Sequence, residues 1–352
     1  MKDTTPLDGD VLKDAPLPRT LRDILVETDR RISSGQLESY APLPTGFREM
    51  DDIIGGGLKQ GELVLLGGAQ GLGKTIWALQ VARNVALSTP AIVVYLSYEH
   101  DEEHMLSRLL CMESIDPTVD GMQRGLRLKD LHRGILTFRQ RNPNAGFFDV
   151  LKSMPQASMI FDRVQRYLDK LYLLKASPQK TTLPVLEAMV QHIRQPLGMP
   201  PLLLVVDYLQ KIPLPYLTEN EAEKVTIVVE GLKNIALSQG VVVLAVVASD
   251  REGLKATRLH LRHLRGSSAL DYECDIALIM NQKWKILSKK HITFNIQQAE
   301  KWKNWVVFSV EKNRAGRAEV DLEFEMHSEY FCFNPHGGIV EQTLIDEKVI
   351  AE

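Results

Sequence analysis

The residues in this 352-residue sequence best suited to chemistry form the octapeptide GAQGLGKT, Gly68 to Thr75, which satisfies G-x-x-x-x-G-K-[ST]. Phosphate binding needs backbone N–H groups turned inward around the oxygens, which glycines permit, and a helix N-terminus whose dipole favours an anion. The apolar run LVLL precedes the octapeptide and IWALQVARNVAL follows it, the strand–loop–helix context such a loop requires. In this reading Gly68, Ala69, Gln70, Gly71, Leu72 and Gly73 cradle phosphates, Lys74 reaches the β- and γ-phosphates, and Thr75 ligates magnesium.

Other chemistry-bearing residues sit at the ends of apolar runs. LLLVVDYLQ places Asp207 where an aspartate is otherwise unfavourable; at a strand tip beside the phosphate loop it can hold the water shell of Mg²⁺. VVYLSYEH places Glu99 just past another run, able to polarise a water that attacks a γ-phosphate. Glu102 and Glu103 follow closely, and Glu99 equally suits the acidic start of a helix, so spacing leaves the choice of base open. EKNRAGR puts Lys312 and Arg314 two residues apart where WVVFSV ends. Two apart on a strand, they face one way, toward an anion that spacing does not identify; a solvated basic hairpin tip is the alternative. REGLKATRLHLRHLRG carries Arg251, Lys255, Arg258, Arg262 and Arg265 against Glu252. It reads either as a grip on a polyanion or as a solvated amphipathic helix packing Leu254, Leu261 and Leu264.

These residues need a scaffold, and the hydrophobic pattern supplies one. ELVLLGG, AIVVYLSY, LYLLKA, PLLLVVDYL, VVVLAVVAS, DIALIM, WVVFSVEK and VDLEFEM read as strands, several apolar throughout, as in a parallel sheet buried on both faces. Helical patterns near 75–87, 101–112, 156–170, 183–194 and 221–239 alternate with them. The expected fold class is α/β, a mostly parallel central sheet flanked by helices, with antiparallel strands at the edge where the last runs crowd together. Residues 43–345 read as one large domain. Residues 1–42 read as a disordered lead, a helix near 20–34 with Thr20 as N-cap, and a linker.

A formal net charge of −3 excludes a broadly basic surface, so any nucleic-acid contact must be local. Cys111, Cys274 and Cys332 lie far apart and form no CxxC or Cys/His cluster, which argues against a zinc site or disulfide framework and fits a reducing compartment. MKDTTPLDGDVLKD has no apolar core for a signal peptide, and no run nears the ~18 residues of a membrane span. A cytoplasmic protein with no membrane partner is expected.

In order, PTGFREMDDIIGGGLKQGELVLLGGAQGLGKT, YLSYEHDEEHMLSRLL, VVDYLQ, RGSSALDYECDIALIM and VEKNRAG resemble the motor domain of the DnaB-type replicative helicases, within the wider RecA-like group of P-loop NTPases. The likeness spans roughly residues 43 to 335. It implies ATP and Mg²⁺ as cofactors and Glu99 as the catalytic base. It also implies a homo-oligomeric ring, commonly of six subunits, with ATP bound between neighbours. Lys312 and Arg314 then match a K-x-R pair that reaches into the adjacent subunit's site, Arg314 as an arginine finger and Lys312 assisting. The basic loop, with Arg251, Lys255 and Arg258 foremost, matches loops that grip single-stranded DNA, and movement is 5′ to 3′. The helix at 20–34 resembles the linker helix that docks on a neighbour. Loader or other replication partners are compatible but unidentified.

Departures from the family pattern matter too. Ala248 stands where the family usually has a glutamine that senses the γ-phosphate, which puts coupling between hydrolysis and DNA grip in question. Only about 42 residues precede the motor, too few for the helicase collar domain. The span between Glu99 and Asp207 suggests an insertion around 140–160. QKWKILSKKHITFNIQQAEKWKNW reads as a solvated hairpin insertion in preference to a base-stacking surface. A regulatory or assembly ATPase, similar to KaiC-like or Sms/RadA-like proteins, is the competing reading.

Overall fold

Runs of leucine and β-branched residues, which fit a pleated and fully covered surface, form the strands at the positions the pattern indicates. Among the described residues these are β1 (Leu63–Gly68), β2 (Ile92–Ser97), β3 (Leu171–Lys175), β4 (Leu202–Asp207), β5 (Val242–Val246), β6 (Ile276–Gln282), β7 (Trp305–Asn313) and β8 (Val320–His327), with two short additions, β9 (Cys332–Phe333) and β10 (Gly338–Ile339). The computed structural model describes residues 17–37, 40–119, 125–215, 220–287 and 300–346. The chain divides into residues 1–41 and residues 42–352. In the first unit, α1 (Leu21–Ser33) starts at Thr20, whose hydroxyl accepts from the Asp23 N–H while Asp23 reaches back to the Thr20 N–H, a reciprocal capping box. The expected lead at 1–16 lies outside the described residues.

The second unit is built on one sheet in the order β10-β8-β7-β6-β1-β5-β4-β2-β3, with β9 paired to β8. Strands β6, β1, β5, β4, β2 and β3 run parallel, and β7, β8 and β10 add antiparallel neighbours at one side. The helices are α2 (Arg48–Ile53), α3 (Lys74–Ser88), α4 (Glu102–Glu113), α5 (Leu128–Arg141), α6 (Phe147–Lys152), α7 (Ala157–Val164), α8 (Leu183–Arg194), α9 (Glu221–Gln239), α10 (Ser267–Glu273) and α11 (Lys283–Ile286). One face of the sheet packs Val64, Leu66, Val93 and Leu203 against Trp77, Val81 and Met105 of α3 and α4. The other packs Leu65, Val94, Leu204 and Val243 against Leu186 of α8, Val228 and Leu232 of α9, and Leu270 of α10. Helices therefore cover both faces, which is why the central strands read as unbroken apolar runs.

Chain order β1, β2 is not sheet order: β5 and β4 lie between them. In such sheets ligands bind outside the carboxyl ends of the strands where the order switches. The registers level those ends. Ser97 pairs with Asp207, Leu66 with Val246, and Gly68 with Met280, so β1, β2, β4 and β5 all finish along one edge. Along that edge stand Lys74 at the start of α3, Glu99 just past β2, Asp207 at the tip of β4 and Ala248 just past β5.

Two helices leave that edge, α3 after β1 and α4 after β2, and a buried charge knot ties them. Arg83 of α3 meets the fully buried carboxylate of Glu113 at the end of α4 with both its arms, Nε–Oε1 2.5 Å and Nη2–Oε2 2.6 Å, while the Tyr167 hydroxyl donates to Oε1 at 2.8 Å. Burial pushes the Tyr167 hydroxyl's pKa far up, reinforced by the Glu113 charge. Removing one member of a buried pair strands the other. Glu113→Ala is therefore expected to lower the unfolding free energy by about 3–5 kcal/mol, read from urea unfolding midpoints; a loss under about 1 kcal/mol would show the knot to be solvated.

Beyond α4, the long connection to β3 folds into α5, α6 and α7 around a small core of Leu110, Leu126, Leu131, Leu151 and Ile160. Residues 140–160, the span read as a candidate insertion, hold α6 and the start of α7.

Candidate nucleotide-binding site

The octapeptide turns directly from β1 into α3. Gly73 caps α3 in the left-handed region, φ 83°, which demands glycine, and a Cβ there would also press on Met326 Sδ at 2.7 Å. The loop closes one wall of a cleft of about 480 Å³ lined by Gly68, Gln70, Gly71, Gly73, Lys74 and Thr75, with Glu99, His100, Arg108, Asp207, Tyr208, Ala248 and Phe331 opposite. Ala69 and Leu72, predicted with the cradle, do not line it. Leu72 is buried in the core, so these two offer the cleft backbone at most.

Lys74 donates from Nζ to the Gly68 carbonyl at 2.7 Å and to the Ala69 carbonyl at 3.0 Å. Burial pulls its pKa below the ordinary lysine value, against the opposing pull of the Asp207 and Glu99 charges. Asp207 is buried at the tip of β4 and accepts from the Tyr95 hydroxyl at 2.8 Å and from the Thr75 hydroxyl. Burial raises its pKa although both hydrogen bonds favour the ionised form. Magnesium takes oxygen ligands and usually binds through one or two protein groups plus phosphates. A hydroxyl and a carboxylate already in contact beside a phosphate loop fit that requirement.

Among the three glutamates left open by spacing, the geometry separates one. Glu99 lines the cleft. Glu102 turns to the end of β3, where its Oε1 accepts from the Lys175 N–H at 2.7 Å, and that hydrogen bond holds its pKa below the usual glutamate value. Glu103 is exposed on the first turn of α4 and does not line the cleft.

Sequence reasoning missed the α4 side of the cleft. His100, His104 and Arg108 recur every fourth residue and so share one face of the helix and its lead-in. That spacing was the available signal. It also missed Gln210 of DYLQ, whose side chain brackets the Ala248 backbone: Oε1 accepts from Ala248 N at 3.2 Å and Nε2 donates to its carbonyl at 3.4 Å. Ala248 itself brings only a methyl group to the cleft.

Lys312 and Arg314 lie elsewhere. Arg314 N donates to the Asp275 carbonyl at 2.9 Å, and Lys312 pairs with Ala277. The phosphate loop leaves the sheet at Gly68, level with Met280. Going from Asp275 to Met280 crosses about 17 Å of strand, so the two cations sit at the opposite edge from their own chain's cleft. Both turn toward the C-terminal end of α10: Lys312 Nζ donates to the Asp271 carbonyl, and Arg314 Nη2 donates to the Tyr272 carbonyl at 2.5 Å. Cations satisfy the orphan carbonyls of a helix end. Arg314 nevertheless keeps a half-exposed side chain, 52%.

The basic segment is a closed loop, not a helix. Ser249 bridges to Leu264, and Asp250 N donates to the His263 carbonyl at 2.9 Å, pinning its base. Leu261 and Leu264 are buried as the packing alternative required, but Leu254 is 62% exposed. Arg251 and Lys255 are exposed at the tip. Arg258, grouped with them as a DNA contact, is placed apart: its side chain is 13% exposed and donates to Asp321 at 2.6 Å, Ser309 at 3.1 Å and Asp346 at 3.4 Å. Its charge anchors the loop to β7 and β8, which removes it from the candidate polyanion contacts. Arg265 pairs with Glu221 at 2.6 Å. Half of the lysine–tryptophan stretch, 288–299, lies outside the described residues; at its ends Lys283 stacks between Trp302 and Trp305, 5.1 and 5.7 Å from their centroids.

Residues 42–333 match the family model for the DnaB-like helicase C terminal domain. The replicative DNA helicase DnaB of Geobacillus stearothermophilus is 24% identical over 270 residues, 74% of this chain and 52% of that protein. The chain thus spans about half the length of the curated helicase it matches. The DNA repair protein RadA of Campylobacter jejuni is 34% identical over 88 residues, which is 25% of this chain and 20% of that protein. Among solved structures, a DnaB-like replicative helicase superposes with a TM-score of 0.65 at 18% identity, covering 92% of this chain and 68% of that one.

Proposed function

This chain belongs to the family of DnaB-like helicase C-terminal domains, and from that premise we propose that it hydrolyses ATP in sites completed between neighbouring copies and uses the cycle to move along single-stranded DNA. The observation that carries this is the sheet register. One edge holds Lys74, Thr75, Glu99 and Asp207, and the opposite edge holds Lys312 and Arg314, out of reach of their own cleft. A ring of copies, edge against edge, brings each pair of cations to the next cleft, and six is the number the family resemblance implies.

In that arrangement the amides of Gly68, Gln70, Gly71 and Gly73 hold the phosphates, and Lys74 exchanges its two carbonyl partners for phosphate oxygens. Arg108 adds a second cation from α4. Thr75 and Asp207 would hold magnesium, which would offset phosphate negative charge when bound with the nucleotide. Glu99 orients the attacking water and takes its proton, while Lys312 and Arg314 of the neighbour meet the charge that develops on the transferred phosphoryl group.

Displacement of a labelled strand from a forked duplex tests the whole reading, with tails of either polarity; release from the fork with a 5′ tail is expected. ATP turnover without release on either fork, by a protein that still assembles with nucleotide, would leave the nucleotide-governed assembly ATPase as the better account, whereas full turnover by a strict monomer would remove the shared site. The RadA likenesses reach a quarter to about a third of the chain, 25% and 36%, and do not by themselves favour that account.

The loop tip gives a narrower test. Arg251→Glu with Lys255→Glu is expected to weaken single-stranded DNA binding, each lost phosphate contact reducing the slope of log K against log salt by about 0.7. DNA then no longer accelerates ATP hydrolysis. An unchanged salt slope in equilibrium titrations would move the DNA contact off this loop.

A further inference from the structure

Resting on the reading of the cleft as an ATP site, we propose that His100 and His104 are positioning residues: as a stacked pair of neutral imidazoles they hold the Arg108 guanidinium in the nucleotide cleft, and they let it go when protonated. Neither histidine has a part in the chemistry described so far. Their rings stack with centroids 4.6 Å apart and planes 27° apart. Arg108 Nε donates to His104 Nε2 at 3.0 Å, and Arg108 Nη2 lies 3.0 Å from His100 Nε2. A guanidinium has donors only, so both Nε2 atoms must accept, which fixes each ring as the neutral Nδ1–H tautomer. Phe331 covers the guanidinium from a third side, 5.1 Å from its ring centroid. Three contacts thus aim a planar fork of N–H donors at the cleft that Lys74, Thr75 and Glu99 line.

A proton on either ring removes an accepting lone pair and sets a cation against the guanidinium. The surrounding charges are mixed. Glu99 and Asp101 favour a proton on His100; Asp101 favours one on His104, and His132 of α5 opposes it; Arg108 opposes both. Tyr95, Asp207 and Glu99 face Arg108 itself. Burial is the largest influence on each ring and holds both pKa values below the ordinary histidine value. A depressed histidine pKa means the ring stays neutral at and above neutral pH and takes its proton only as pH falls below the usual ~6.5. The clamp is therefore closed at neutral pH and opens on acidification.

The test follows kcat and KM for ATP in the full chain from pH 5.5 to 8.5, in the wild type and in two double variants. His100→Gln with His104→Gln keeps neutral acceptors that do not titrate. His100→Leu with His104→Leu removes them. At pH 8 the leucine pair is expected to raise KM on the order of tenfold, as for one lost charge-assisted hydrogen bond, with the glutamine pair rescuing most of it. On acidification through the histidine pKa, wild-type kcat/KM is expected to fall relative to the glutamine pair and to level off near the about tenfold loss of the leucine pair. Identical acid limbs in wild type and glutamine pair, or wild-type KM in the leucine pair, overturn the proposal. A second readout does not need turnover. Nitrogen NMR of the imidazoles, assigned with the single glutamine variants, should show both rings as Nδ1–H at pH 8, and an Nε2–H ring at either position refutes the clamp. If Lys74→Ala leaves the ATPase rate unchanged, the ATP-site reading has failed, and the NMR result alone decides the clamp.

Discussion

Arg314→Ala is expected to lower ATP hydrolysis by the assembled protein by about 10³–10⁵, the contribution of an arginine finger supplied across an interface. Its geometry within one chain offers a competing explanation, because Arg314 also donates to the Tyr272 carbonyl and lies 3.6 Å from Asp275. Asp275 is a structural knot in its own right, accepting from Leu63 N and from Lys233, both at 2.7 Å. Loss of a mere helix-end partner would lower stability slightly and activity in proportion. Mixing separates the two. An Arg314→Ala subunit keeps its phosphate loop, and a Lys74→Ala subunit keeps its finger, so a ring containing both has some interfaces with every group in place. Each variant alone should be nearly inactive and the mixture should recover turnover at intermediate ratios. Full-rate hydrolysis by Arg314→Ala alone, or a mixture as inactive as its parts, removes the shared site. Lys312→Ala is the milder companion, since its ammonium is a single point charge without the fork that matches phosphate oxygens.

How far the sequence disclosed this molecule depends on the range of the forces involved. Strands β1, β2, β4, β5 and β6 were legible because burial on both faces leaves little room for polar residues, and β8 because its apolar and polar residues alternate. The phosphate loop was legible because backbone conformation at Gly73 and the reach of Lys74 are local requirements. Illegible features depend on distant partners. Arg258 looked like its neighbours Arg251 and Lys255, yet Asp321, 63 residues away, claims its charge. Glu102 and Glu99 were equivalent until β3 brought the Lys175 N–H beside one of them. The α5 helix was legible in principle, since Leu128, Leu131, Ile135 and Phe138 recur at helical spacing, but what its stripe packs against was not, because Leu110 and Ile160 come from other helices. The register of β7 on β6, which decides that Arg314 cannot serve its own cleft, includes a shift at Ala277/Leu278 that no pattern of residue types reveals.

Glu99→Gln should separate binding from chemistry more sharply than any other change in the cleft. A positioned general base contributes about 10²–10⁴ in rate, so single-turnover hydrolysis should slow by that factor. Nucleotide affinity should be retained or improved. Glu99 is one of two carboxylates whose charge acts on Lys74, and neutralising it takes a negative charge away from where a triphosphate lies while Asp207 stays to balance the ammonium. The isosteric amide preserves shape and can still hydrogen-bond a water, but it cannot take the proton. Glu102→Gln and Glu103→Gln are the controls. The first loses a charge-assisted contact to the Lys175 N–H and the second alters an exposed helix turn, so neither should slow the chemical step by more than a few-fold, the scale of a modest hydrogen-bond loss. If either control is as slow as Glu99→Gln, the base lies one turn along α4 and the cleft must close differently with nucleotide bound. If Glu99→Gln instead abolishes nucleotide binding while Lys74→Ala retains it, the anion is held by other groups and the phosphate-loop account fails with the base.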